Sequence, residues 1–331
     1  MSHPIGRSGG FVEGVETAYA RIRPDIVKTE LEYSPVLSLA LGSHVYFKWE
    51  CGQHTGSFKF RGALNKLRAL TPAQKARGVV SASTGNHGLG MSRAARAEGV
   101  GLILYLPENA APSKVAKLRK AGADLRFFGT SCEVTEGHAR AAAGLMGRVF
   151  VSPYNDLDVV HGQGTVGLEI LADLTGVDDV LVPVGGGGLV AGIAGYLKGR
   201  KPGARVWGVE PVYSAFMKAS LDAGRLIDVP ERPTLADAVA GGIEPGSLTF
   251  PLCRTYVDGI LTVSEERLAA AMRLIHRVHG RIVEGAGALA LAGLTAFRAR
   301  FRGRRVVLVV SGGNIARSRF QSICPAGRFS I

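Results

Sequence analysis

Lys59 lies in Ser57-Phe58-Lys59-Phe60-Arg61-Gly62, so its amine sits at the start of a helical pattern between two aromatic residues. An ammonium there is disfavoured by the positive end of the helix dipole and by lost hydration, and its pKa falls. The neutral amine is the form that attacks an aldehyde. Ser57 reads as the N-cap of this helix. Far along the chain, Gly185-Gly186-Gly187-Gly188 follows the apolar run Val180-Leu181-Val182-Pro183-Val184 and opens another helix. Without side chains, such a turn offers backbone N–H groups to an anion. An aldehyde cofactor carrying a phosphate needs both features, which points to pyridoxal 5'-phosphate. Each feature has a plainer meaning on its own, a solvated lysine or a slack turn. The glycine run also fits a dinucleotide fingerprint, Gly186-x-Gly188-x-x-Ala191 with Glu210 ending the next strand. An NAD-dependent dehydrogenase would use that run but leaves Lys59 and Ser311 without a role.

Two further polar segments could carry chemistry. Ser83-Thr84-Gly85-Asn86-His87 groups hydroxyls, an amide and an imidazole on a turn that caps a helix, where a carboxylate could be held. Ser311-Gly312-Gly313-Asn314 places a neutral hydroxyl at the end of the apolar run Val306–Val310. Ordinary capping is the plainer reading of both. His276 and His279 are three apart on one helix with no third ligand, so no metal is expected from them. Glu265-Glu266 reads as an acid pair at a helix N-terminus.

These segments need elements to hold them. Val45–Trp49, Gly78–Ser81, Leu102–Leu106, Asp124–Phe128, Val149–Val151, Val180–Val184, Arg205–Val209 and Arg305–Val310 read as strands. Helical patterns fall at Phe58–Leu70, Gly88–Glu98, Pro112–Ala121, Gly164–Leu174, Leu189–Lys198, Glu265–His279 and Ala286–Phe301. Alternation of this kind predicts an α/β protein whose mostly parallel sheets are covered by helices. Ligands of such sheets bind beyond the carboxyl ends of strands, where the glycine-rich and polar segments fall.

Composition narrows the classes. With 331 residues and 46% hydrophobic content, the chain can bury the core of a two-lobed enzyme. No apolar run reaches the roughly 18 to 20 residues of a membrane span, and the N-terminus lacks a signal-peptide core. Cys51, Cys132, Cys253 and Cys324 are scattered, which argues for neither zinc nor a disulfide framework and makes the cytoplasm the expected compartment. The net charge is +13, but its basic residues are dispersed and not interleaved with aromatics, so nucleic acid is not an expected partner. A phosphorylated cofactor and anionic substrates suffice.

Together, Gly56–Ala63, Ser83–Gly88, Gly162-Gln163-Gly164-Thr165, Pro183–Leu189 and Ser311–Asn314 resemble the threonine/serine dehydratase and serine racemase family, which are fold-type II pyridoxal-phosphate enzymes. The resemblance runs from about Val36 to Asn314. It implies a Schiff base on Lys59, with Phe58 flanking the cofactor ring and Asn86 at its hydroxyl. It implies the phosphate on Gly185, Gly186, Gly187, Gly188 and Leu189, Ser311 facing the pyridine nitrogen, and Glu284 nearby. Ser83, Thr84 and His87 would surround the substrate carboxylate. It implies a homodimer acting on a small amino acid, with residues 1–75 and 152–331 as the large cofactor-binding domain and 76–151 as a small mobile domain closing over the substrate. The implied reaction is dehydration of a 3-hydroxy-L-amino acid, threonine or serine, to a 2-oxo acid and ammonia. An amino-acid racemase is the alternative within the fold.

The chain also departs from the family pattern. Thr84 stands where racemases carry a serine as second base, and its β-branch restricts the hydroxyl. Glu210 matches one ligand of a divalent-cation site, but Phe216 replaces the second, so that site is expected to be lost or altered. The sequence ends at Ile331, so feedback through a C-terminal regulatory domain is not expected. Glu50–His54, Phe216 and the segment Thr234–Asp237 with Gly241-Gly242-Ile243 suggest an adapted pocket. They resemble the ectoine-utilisation branch and admit a bulkier substrate such as phenylserine.

Overall fold

The computed structural model describes residues 8–325, which form two sheets. The strands in chain order are β1 Leu31–Tyr33, β2 His44–Lys48, β3 Val79–Ala82, β4 Leu102–Leu106, β5 Asp124–Phe127, β6 Val149–Phe150, β7 Asp179–Pro183, β8 Arg205–Pro211, β9 Gly259–Val263 and β10 Arg305–Val309. The larger sheet runs β1-β2-β10-β7-β8-β9 and the smaller β5-β4-β3-β6. All pairings are parallel except β1 with β2. The parallel strands are near-continuous apolar runs because helices cover both faces; every residue of β7 is buried.

The order reverses between β10 and β7, the kind of switch point at which strand-end loops part and leave a crevice. Val309 pairs with Lys48 and Leu308 with Leu181, so the carboxyl ends of β2, β10 and β7 lie side by side. The lysine segment, Ser311–Asn314 and the glycine run therefore leave one edge of the sheet together.

The helix Lys59–Ala69 links the two sheets. Phe60, Leu64 and Leu67 are buried in one core with Val79 of β3, Leu104 of β4 and Met91. That core crosses the expected boundary between residues 75 and 76. On another side the helix meets Leu157–Asp173. A Cβ added at Gly162 would lie 2.6 Å from Gly62 Cα and 2.8 Å from Arg61 O, so only glycine allows this approach. Gly62 and Gly162 are both motif residues, and their contact fixes where the lysine helix starts.

Several bounds differ from the sequence expectation. The helix expected from Gly164 begins at Leu157, because Asp156 caps it by accepting from the N–H groups of Asp158 and Val159. The expected helix Ala286–Phe301 is Gly285–Ala296 followed by a short 3-10 turn. The structure adds elements not expected from sequence, among them the helices Ser8–Ile22, Cys132–Leu145 and Thr249–Tyr256 and the strand β9. The helix Glu265–His279 has its expected bounds. Ser264 caps it, acids fill its first turn, and Gly280 at φ +65° ends it.

Candidate active site

Lys59 is the first residue of its helix, and its Nζ donates to Pro153 O at 2.8 Å. Burial pushes its ammonium down to about 8, opposed only in part by Glu136. The Phe58 ring centroid is 5.1 Å from Nζ. Ser57 is not the N-cap. Phe58 occupies that position, while Ser57 is drawn into an isolated bridge with Gly312, and its buried Oγ has no partner among the described residues. The backbone thus holds the lysine: Phe58 N–H donates to Ser311 O at 3.1 Å. Ser311 itself is buried.

Pro153 leads directly into Tyr154, whose ring covers Gly186 and whose backbone lies against Gly188. Lys59 and the glycine run thus flank one dipeptide. Gly187 has φ +86°, a left-handed conformation suited to glycine, and a Cβ there would come within 2.7 Å of Met217 Cε. Among the described residues, none of the N–H groups of Gly185 to Val190 donates to a protein acceptor. A helix start with free amides and no side chains is matched to a phosphate dianion. With an amine of lowered basicity beyond Tyr154, the residues present fit pyridoxal phosphate.

Asn86 opens the helix Asn86–Glu98. Its Nδ2 donates to Glu284 Oε1 at 2.6 Å, and its Oδ1 accepts from Asn314 Nδ2 at 2.7 Å. Asn314 Nδ2 also donates to Thr55 O at 2.8 Å. Burial raises the Glu284 carboxyl to about 7, with the Asn86 bond opposing. Gly312 sits against both side chains and leaves no space for a larger residue. Asn314 is thus a site residue that sequence reasoning quoted in a motif without giving it a role.

Ser83 and Thr84 are half-buried in the turn before Asn86, and Ser83 Oγ accepts from Gly85 N–H at 3.1 Å. His87 points elsewhere: it is 2% exposed, with Nε2 at 3.0 Å from Ser81 Oγ and 3.3 Å from Val151 O. Burial, reinforced by Lys59, pushes its imidazole down to about 3. Glu210 is also committed. Its oxygens accept from Met217 N–H at 3.0 Å and Lys218 N–H at 2.9 Å, at the start of the helix Phe216–Ala223. Leu189 is buried one position beyond the glycine run. The segment Thr234–Ile243 passes the site, with Val239 against Gly185 and Leu235 O against Gly285.

Arg61 lies beneath the lysine. Its guanidinium binds Glu50 at 2.8 and 2.9 Å and Glu169 through two bonds of 2.8 Å, while Lys48 Nζ donates to Glu169 at 2.6 Å. All four side chains are fully buried.

The family model described as "Pyridoxal-phosphate dependent enzyme" matches residues 22–312. The L-threonine ammonia-lyase of Thermotoga maritima is 40% identical over 304 residues, covering 92% of this chain and 75% of that protein. The serine racemase of Oryza sativa subsp. indica is 33% identical over 309 residues, 92% of this chain and 91% of its own. The structure of processed threonine deaminase isoform 2 from Solanum lycopersicum superposes with a TM-score of 0.90 at 30% identity, covering 96% of this chain and 93% of that one.

Proposed function

The chain belongs to the family of pyridoxal-phosphate dependent enzymes, and from that premise we propose how its residues act on a 3-hydroxy-L-amino acid. It is a lyase, a dehydratase that releases a 2-oxo acid and ammonia, similar along most of its length to threonine ammonia-lyases. The observation that carries the assignment of roles is the Lys59 amine, lowered to about 8 and separated from a bare glycine amide surface by one dipeptide.

Pyridoxal phosphate, when bound, supplies the electron sink that makes a substrate Cα–H acidic. Phe58, Lys59, Asn86, Glu284 and Ser311 hold its ring, while Gly185 through Gly188 and Leu189 hold its phosphate. Lys59 Nζ takes the Cα proton, a task suited to an amine whose basicity has been brought close to working pH. Asn86 is fixed from two sides by Glu284 and Asn314, so its amide keeps one orientation during turnover. Ser311 is neutral and leaves the ring nitrogen without a carboxylate partner. Ser83 and Thr84 present hydroxyls to the substrate carboxylate, and His87 supports that turn from behind. Residues 76–151 close over the substrate and exclude water, which strengthens these polar contacts.

Threonine or serine is the proposed substrate, with a bulkier analogue such as phenylserine admitted by the altered Glu50–His54 segment. The enzyme is proposed to be a cytoplasmic homodimer; none of the described helices is long and apolar enough to cross a membrane. Absorption spectra before and after borohydride test the cofactor assignment, with label expected on Lys59. Oxo-acid release from threonine, serine, 3-hydroxyaspartate and phenylserine identifies the substrate. Racemisation is the second reading, supported by the serine racemase relative; recovery of the opposite enantiomer in place of oxo acid would establish it.

A further inference from the structure

We propose that Thr249, backed by Ser247, is the positioning residue that turns the amides of the glycine run toward the cofactor phosphate; this rests on the phosphate placement given above. Thr249 opens the helix Thr249–Tyr256, in a part of the chain that none of the sequence motifs touches, and is completely buried. Its Oγ1 donates to Gly186 O at 2.6 Å. A hydroxyl has one proton, so the 2.7 Å contact between Ser247 Oγ and Thr249 Oγ1 must run from Ser247 to Thr249. The result is a directed relay: Ser247 to Thr249 to the Gly186 carbonyl.

Peptide geometry turns this bond into orientation. None of the peptide bonds is cis among the described residues, and in a planar trans peptide the C=O and the following N–H point in opposite directions. Anchoring Gly186 O on the Thr249 side therefore sends Gly187 N–H the other way. The next carbonyl, Gly187 O, accepts from Ala191 N–H at 2.9 Å and has Cys253 Sγ at 3.9 Å, which aims Gly188 N–H similarly. Glycine has no Cβ to restrict such a run, so an unanchored loop could rotate these peptides. The glycines make room for the phosphate, and Thr249 selects one peptide orientation among those that glycine allows.

The test compares pyridoxal phosphate with pyridoxal, which lacks the phosphate, as ligands of the apoenzyme in fluorescence titrations. Thr249→Val should weaken pyridoxal phosphate about tenfold, the range of one lost hydrogen bond, and leave pyridoxal unchanged. Thr249→Ser keeps the hydroxyl and should bind both as the parent does. Ser247→Ala, milder for folding, should weaken pyridoxal phosphate about threefold and again spare pyridoxal. Equal phosphate preference in Thr249→Val and parent overturns the role of Thr249 alone. Loss of both ligands together in a folded variant, checked by thermal unfolding of the apoenzyme, does the same. A parent that binds pyridoxal and pyridoxal phosphate equally well overturns the phosphate placement and the relay with it.

Discussion

Two groups of buried polar side chains lie on either side of the lysine helix, and they are built on opposite plans. Below it, Arg61, Lys48, Glu50 and Glu169 balance two positive charges with two negative ones, and each charge meets an opposite partner within 3 Å. Above it, Lys59 donates to one carbonyl and the Glu284 side chain accepts from the Asn86 amide, and among the described residues neither enters an ion pair. Desolvation acts on both groups. In the lower one opposite partners face each other at close range, and the ion pairs fix geometry. In the upper one burial has no such pairing to oppose it, so Glu284 rises to about 7 and Lys59 falls to about 8. Paired charge serves as scaffold, and underpaired charge can exchange protons near neutrality.

The contrast can be broken from either side. Lys59→Ala should lower oxo-acid release by at least about a thousandfold and abolish borohydride labelling, without comparable loss of folding stability. Turnover near the parental rate would show that the upper group does not carry the chemistry. Arg61→Met removes the scaffold's shared cation and leaves Glu50 and Glu169 facing each other. Denaturant unfolding should show a loss of about 3–5 kcal/mol. A loss within experimental error would mean that the lower group is not the scaffold.

Glu284→Gln has the smallest expected effect and sharpens the comparison through pH. The folded protein keeps a proton on Glu284 that the unfolded chain releases from about 4.5 upward. Its contribution to stability therefore declines as pH rises from about 4.5 to about 7 and levels off above that. Gln is neutral throughout, so the parent should lose stability relative to the variant between pH 5 and pH 8 in urea titrations. Parallel profiles would place the Glu284 pKa in the ordinary carboxylate range.

Much of this arrangement could be read in the sequence, and the exceptions have physical causes. The alternation of apolar runs and helical patterns located β4 and the helix Glu265–His279 at their observed bounds, because β4 is an uninterrupted buried run and the helix carries strong caps. The lysine segment, the glycine run and Ser311–Asn314 were visible as polar or bare interruptions after apolar strands. The pattern shows helix only from Gly164, since Gly162 looks like a helix breaker; close contact with Gly62 accommodates it inside Leu157–Asp173. An Asp156 cap ahead of Leu157 was the available signal. Ser57 was misread because its bridge to Gly312, far along the chain, outweighs the local capping preference. Pro153 O could not be found at all, since a backbone acceptor leaves no mark on residue type. His87 was legible as part of a motif, but its turn toward Ser81 depends on the small sheet's packing.

The position of β10 has a consequence for how the enzyme is made. Residues 305–309 are inserted between strands that were synthesised long before, so the floor of the cleft stays open until they have left the ribosome. Contacts over such sequence distances form slowly. A nascent chain halted earlier would carry the lysine and the glycine run but lack Ser311 to Asn314, which hold Phe58 N–H, bridge Ser57 and fix Asn86.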